Sequence, residues 1–222
     1  MTSSLTVLTF PVGQLVTNCY IVIDKHSLSS IIIDPGDDGD YITDLLVRQK
    51  LKPQMIIATH GHFDHIMAVA ELQLNFNTPF YINKADEFLI KNMSHSAKHF
   101  LGIEAGPIHI INGYLKDNES IKLGGKQWKI MLTAGHTPGS ICLYEKEEEI
   151  AFVGDLIFAH GGIGRTDFSY SNRQKLDRSL CKLFRLPFET LIYPGHGEPF
   201  NLGDNNILKN IYKKSRLEIC SI

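Results

Sequence analysis

A chain of 222 residues is long enough to bury one sizeable core, and length alone does not demand a second domain. With 43% hydrophobic and 21% charged residues the composition is ordinary for a soluble globular protein. The formal net charge of −2 argues against nucleic acid or an anionic membrane as the main partner, and no apolar run approaches the ~20 residues of a membrane helix.

Three β-type runs come first, at 5–11, 18–24 and 30–34, rich in Val, Ile and Thr and separated by turn residues. Residues 38–51 place Tyr41, Ile42, Leu45 and Leu46 at helical spacing, with Pro53 beyond the end, which predicts a helix. A short apolar strand at 55–59 follows, then a helical pattern at 66–75, a strand at 79–82 and a helix at 84–91. Residues 93–113 contain Gly102, Gly106 and Pro107 and read as irregular, a segment placed to cover something. Strands are expected at 120–123, 127–133, 140–144 and 149–154, with the charge run EKEEE (145–149) as a solvated hairpin turn. A helix at 173–186, a strand at 190–193 and a last helix at 203–214 complete the chain. This order suits sheets covered by helices, not a purely parallel doubly wound fold.

The first residues, MTSSLTVLTFPVGQ, lack a basic region followed by a continuous apolar one, so no signal peptide is expected. Cys19, Cys142, Cys181 and Cys220 form no C-x-x-C pair and are expected to be reduced and mostly buried, in a cytoplasmic protein.

Four strand ends share one grammar. The run at 55–59 leads into His60, Gly61, His62, Phe63, Asp64 and His65. The run ending at Thr133 leads into Gly135 and His136, the run ending at Val153 into Gly154 and Asp155, and the run ending at Tyr193 into Gly195 and His196. A lone His136 or Asp155 reads as a turn or cap residue. The H-x-H-x-D-H cluster with three further strand-end residues reads as a metal site. His60 and His62, two apart on an extended segment, point to the same side, while Asp64 and His65 can face a second position. Seven donors exceed one tetrahedral site and fit two metals if a carboxylate bridges them. Imidazole and carboxylate suit Zn, Fe and Mn rather than Ca.

THGHFDH, GHTPGS, the GD at 154–155 and the PGHG at 194–197, together with NCYIV (18–22) and IIIDPG (31–36), resemble the metallo-β-lactamase fold superfamily over nearly the whole chain. That resemblance implies an α/β (α+β) fold, an αββα sandwich of two mixed sheets covered by helices, with the metals at one edge. GGIGRTDFS (161–169) is most similar to short glyoxalase II-like hydrolases and is shared with persulfide dioxygenases, in which the residue before G-R-T-D is often cysteine; here it is Ile163. The resemblance implies two divalent cations, zinc foremost, with iron or manganese as alternatives. His60, His62 and His136 would hold the first, Asp64, His65 and His196 the second, and Asp155 would bridge. Asp64 would also orient the nucleophile, and Asp34 would support the ligand loop. Arg165 and Asp167 would order the loops around the site, pairing with each other or with the ligand loops.

The implied activity is hydrolysis of a small-molecule thioester, S-D-lactoylglutathione or a related 2-hydroxyacyl thioester, by a hydroxide shared between the metals. The alternatives are a mononuclear iron persulfide dioxygenase and a lactonase or other hydrolase of the same fold. One departure stands out: the chain reads as a single domain over 1–222, without the C-terminal helical domain with which full-length glyoxalase II grips glutathione. Lys209, Lys213, Lys214 and Arg216 read as a solvated helix face, with a small anion site as the sharper reading. His26, His95, His99, His109 and His160 are expected outside the site, and Phe63, Phe158 and Phe168 in the core or at its rim. The oligomeric state is left open.

Overall fold

The computed structural model describes residues 4–106 and 110–204. Two six-stranded mixed sheets stack face to face. The first follows chain order: β1 (Leu5–Val12), β2 (Thr17–Asp24), β3 (Ser29–Ile33), β4 (Lys52–Ile57), β5 (Phe80–Ile82) and β6 (Ile111–Tyr114). The second runs β7 (Ser120–Leu123), β8 (Lys126–Leu132), β9 (Ile141–Glu145), β10 (Ile150–Gly154), β11 (Leu191–Pro194) and β12 (Phe200–Asn201). Pairing is antiparallel from β1 to β3 and parallel from β3 to β6. In the second sheet, among the described residues, β10 and β11 alone pair in parallel.

The alternation of side chains along each central strand explains the layering. On β2, Tyr20 and Val22 face the second sheet, and Ile21 and Ile23 face the helices. On β3, Ile31 and Ile33 point inward and Ile32 outward. β9 and β10 repeat the pattern: Ile141, Leu143, Ile150 and Phe152 join the core between the sheets, while Cys142, Tyr144, Ala151 and Val153 lie on the outer face. Strands covered on both faces have no polar register, which is why they read as unbroken apolar runs. The outer face of the first sheet is covered by α1 (Gly39–Arg48), α2 (Val69–Phe76) and α4 (Met93–Leu101), through residues such as Ile42, Leu46, Leu72, Met93 and Ala97. The short α3 (Glu87–Lys91) precedes α4, and α5 (Arg173–Leu183) covers the second sheet through Leu176, Leu180 and Leu183. The result is the αββα sandwich.

Several elements differ from expectation. The segment read as irregular holds α4, because Met93 and Ala97, one turn apart, both bury against the first sheet, and Gly102 ends the helix at φ 71°. Gly102, read as a sign of irregularity, is its C-terminal stop. β6 is a strand although INGY offers little apolar pattern; it adds to the sheet edge through Phe80↔Ile111 pairing. β12 is two residues long. α2 starts later than expected, because residues 63–65 form a 3-10 turn. Glu145 belongs to β9 and is buried, so the solvated turn is shorter than EKEEE.

Cys19 and Cys142 are free and buried, whereas Cys181 is disulfide-bonded, against the expectation of four reduced thiols. Leu202–Asp204 is a 3-10 turn. The remainder of the helix expected at 203–214 lies outside the described residues, as do Lys209, Lys213, Lys214, Arg216, Cys220 and His109. Among the described residues no helix is long and apolar enough to cross a membrane.

Candidate metal centre

Four strand ends bring the chemistry together. β4 runs through Thr59 into His60, β8 leads to His136, β10 ends one residue before Asp155, and β11 ends two residues before His196. The first belongs to one sheet and the other three to its partner, so the site straddles the sandwich at one edge. β2 locks the two sheets together there. The Asn18 side-chain amide donates to the carbonyls of Pro194 (3.0 Å) and Gly197 (2.7 Å), and the Tyr20 hydroxyl to Pro194 O (2.5 Å). These bonds fix the loop that carries His196.

All seven side chains singled out in the sequence meet in three overlapping groups: His60, His62 and His136; His60, His65 and Asp155; and Asp64, His65 and His196. Within each group the donor atoms lie within 4.8 Å of one another. His62 Nδ1 is 3.0 Å from both His60 Nε2 and His136 Nε2. Asp64 Oδ2 is 3.7 Å from His65 Nε2 and 3.5 Å from His196 Nε2. Asp155 faces both halves, its Oδ1 3.6 Å from His65 Nε2 and its Oδ2 3.5 Å from His136 Nε2 and 3.7 Å from His196 Nε2. A tetrahedron with metal–donor bonds of ~2.1 Å has edges of about 3.4 Å, so these separations suit shared cations.

The opposite ring nitrogen of each histidine is already held. His60 Nδ1 meets Thr59 Oγ1 (3.1 Å), His65 Nδ1 meets Asp34 Oδ2 (3.0 Å), His136 Nδ1 meets Arg165 O (2.9 Å) and His196 Nδ1 meets Leu15 O (3.2 Å). His62 is turned the other way, its Nε2 against the Tyr170 hydroxyl (2.9 Å). Such outer partners fix the tautomer and aim of a metal-binding imidazole. On the inner side, His65 Nε2 and Asp155 Oδ1 are buried with no hydrogen-bond partner among the described residues. Buried polar atoms are rarely left so, and a cation ligated by both atoms would satisfy them. The residues present therefore fit a binuclear metal centre.

Electrostatics divide the cluster. Burial, reinforced by the neighbouring histidines, pushes His60 well below the usual imidazole value and His62 down to about 3, leaving both neutral with lone pairs free. In the other half burial again disfavours the charged imidazole but is outweighed. Asp64, Asp34 and Asp155 together drive His65 up to about 10, and the Asp64 hydrogen bond with the Asp155 charge raises His196. Burial likewise works against the Asp64 charge, yet His65, His196 and His62 hold that carboxyl well below the carboxylate range. Three carboxylates around one imidazole make a field that draws positive charge, either a proton or a cation.

The supporting residues act through named bonds. Asp34, buried and at φ 52°, accepts from Thr59 N and Thr59 Oγ1, both at 2.7 Å, and from His65. Arg165 and Asp167 pair with each other through two bonds of 3.0 and 2.8 Å on the surface, and the Arg165 backbone carbonyl meets His136 Nδ1. Gly195 is needed for close approach: a Cβ there would sit 2.1 Å from Asp155 Oδ1. His26, His95, His99 and His160 are exposed, and His160 pairs with Glu198.

Three contributors carried no signal in the sequence. Asp86 is fully buried and accepts from Gly61 N (3.0 Å), Gly139 N (2.6 Å) and Thr137 Oγ1 (2.6 Å), joining the His60–His65 loop to the His136 loop. Thr17 donates to Asp64 Oδ2 at 3.0 Å. Tyr170 stacks on Phe168 as well as holding His62. A single Asp, Thr or Tyr without ligand spacing has nothing to mark it. A cleft of about 320 Å³ opens onto the cluster, lined by Leu15, Phe63, Leu89, Phe100, Phe168 and Tyr170 among others.

Comparison with known proteins agrees with this geometry. A hydroxyacylglutathione hydrolase of Haemophilus influenzae, GloC, is 32% identical over 201 residues, covering 87% of this chain and 91% of the relative. The crystal structure of the BLEG-1 B3 metallo-beta-lactamase superposes with a TM-score of 0.83 at 29% identity, covering 90% of this chain and 95% of the other. That of TTHA1623 in a di-iron-bound form gives 0.81 at 31% identity, covering 90% and 96%. Residues 12–196 match the family model described as the metallo-beta-lactamase superfamily. With the sandwich fold and the His/Asp cluster at its edge, the chain belongs to the metallo-beta-lactamase superfamily.

Proposed function

We propose that this protein is a metal-dependent thioester hydrolase acting on 2-hydroxyacyl thioesters, with S-D-lactoylglutathione as the reference substrate. The carrying observation is the shortage of acids in the cleft. Besides the cluster residues, the titratable side chains among the described residues lining it are Arg165 and Tyr170. Burial pushes the Tyr170 phenol up to about 12, and its oxygen is engaged with His62. Neither group gives up a proton readily near neutral pH. An amine leaving group needs one, whereas a thiolate departs as the anion, close to the ~8.5 of a free thiol. The name of the GloC relative supports the same reading.

Two divalent cations held by His60, His62 and His136 and by Asp64, His65 and His196, with Asp155 between, would supply Lewis acidity and a water acidified to near-neutral pH. Asp64, fixed by Thr17, would orient the attacking water. Asp34 and Thr59 hold His60 and His65 in fixed tautomers. Zinc is the metal proposed, with iron beside it in the test because the donors accept either.

Steady-state hydrolysis of S-D-lactoylglutathione by zinc-loaded and iron-loaded protein, beside His60→Ala, tests the reading. A rate that saturates with substrate and disappears in the variant is expected. No rate above the variant with metal bound overturns the substrate, and oxygen uptake with glutathione persulfide on the iron-loaded protein becomes the next measurement.

A further inference from the structure

Aromatic and aliphatic side chains line much of the cleft. Phe63, in the ligand motif itself, stacks on Phe100 of α4 with centroids 6.0 Å apart and planes at 10°. Phe168 stacks on Tyr170 at 5.3 Å and 9°, and Phe88 of α3 packs edge-on against Tyr170. Both stacked pairs line the cleft, as do Leu15 and Leu89. Phe168 also packs against the His62 ring at 5.2 Å, so aromatic surface reaches the cluster itself. Phe100 is 52% exposed and Leu15 41%. Large apolar side chains left open beside a reactive centre mark a binding surface.

The charges point the same way. A glutathione moiety carries two carboxylates and an ammonium, each of which needs a partner. Outside the cluster, the one cation among the described residues lining the cleft is Arg165. Its guanidinium is already forked onto Asp167 and lies over the Phe168 ring at 4.7 Å.

Resting on the thioester-hydrolase reading, we propose that the thiol half of the substrate is an uncharged, apolar group seated against the Phe63–Phe100 and Phe168–Tyr170 pairs. The preferred substrates are then 2-hydroxyacyl thioesters of aromatic or aliphatic thiols, with the glutathione ester hydrolysed less efficiently. Phe100 is then a specificity-determining residue. α4 presents it at the mouth of the cleft, and its removal takes away one ring face without touching the cluster.

The test compares kcat/KM for three D-lactoyl thioesters with the metal-loaded protein: those of benzyl mercaptan, 2-mercaptoethanol and glutathione. The benzyl ester is expected to exceed the other two by about tenfold or more, which is ~1.4 kcal/mol of extra binding. Phe100→Ala is expected to shrink that advantage several-fold, through KM. A glutathione ester equal to or better than the benzyl ester overturns the proposal and leaves the hydrolase reading standing. Parity between the benzyl and mercaptoethanol esters overturns it too, since exclusion of charge would then explain the preference without a seat for the ring. Hydrolysis of none of the three, with both metals bound, sinks the hydrolase reading and this proposal with it.

Discussion

At the scale of single residues, the cluster is readable in the sequence because its chemistry is rare. Four metal-capable side chains in six positions have few structural explanations, and a histidine or aspartate just past a strand has a rigid place to stand. Asp34, just before Pro35, also suits a turn, and only the fold shows its carboxylate beneath Thr59 and His65. Asp34→Asn retains the size and loses the charge that draws a cation to this half. It is expected to weaken metal binding about 10–100-fold. Competition with a chromophoric chelator measures this, and unchanged affinity would count against the supporting role. Asp86 makes the complementary case, since it supports loops and touches no cluster donor by hydrogen bond. Asp86→Ala leaves the buried amides of Gly61 and Gly139 without their acceptor, while the Thr137 hydroxyl retains Ser140. At about 1–3 kcal/mol for each buried unsatisfied group, a loss of roughly 2–6 kcal/mol in urea unfolding is expected from the two amides.

At the scale of elements, the central strands were legible and the edges were not. β2, β3, β9 and β10 are apolar on both faces and cannot be mistaken for loops. β6 and β12 are strands only because a neighbour offers them a free edge, information that lies elsewhere in the chain. α4 was hidden by the glycines that follow it, although Met93 and Ala97 already carried the spacing. Met93 is fully buried in the layer between α4 and the first sheet. Met93→Ala is expected to cost about 2–5 kcal/mol in chemical denaturation, the range for deleting a buried side chain that its surroundings cannot collapse onto. A change within ±0.5 kcal/mol would mean that α4 packs loosely, and with it the cleft wall that carries Phe100.

At the scale of the whole molecule, the sandwich brings loops from two sheets to one edge and forces seven ionisable groups into contact before any cation arrives. That confinement makes the stability of the metal-free protein depend on pH in both directions. His60 and His62 have folded-state pKa values below the unfolded ~6.5, and that of His62 is about 3. For them the unfolded chain binds protons more readily, so their contribution is present above pH ~6.5 and is lost as pH falls toward 3. His65 is the reverse. Its folded value is raised to about 10, so its contribution is full below ~6.5 and disappears as pH climbs through 10. The two slopes meet near pH 6.5, where the metal-free protein is expected to be most stable, with urea midpoints lower at pH 5 and at pH 9. Cations binding the cluster stabilise the folded state in proportion to their affinity, and that affinity rises with pH as His65 gives up its proton. Metal-loaded protein should therefore lose the alkaline fall and retain the acid one. A metal-free midpoint that does not change between pH 5 and 9 would mean that the cluster relaxes apart when empty, and that the cations assemble the site rather than fill it.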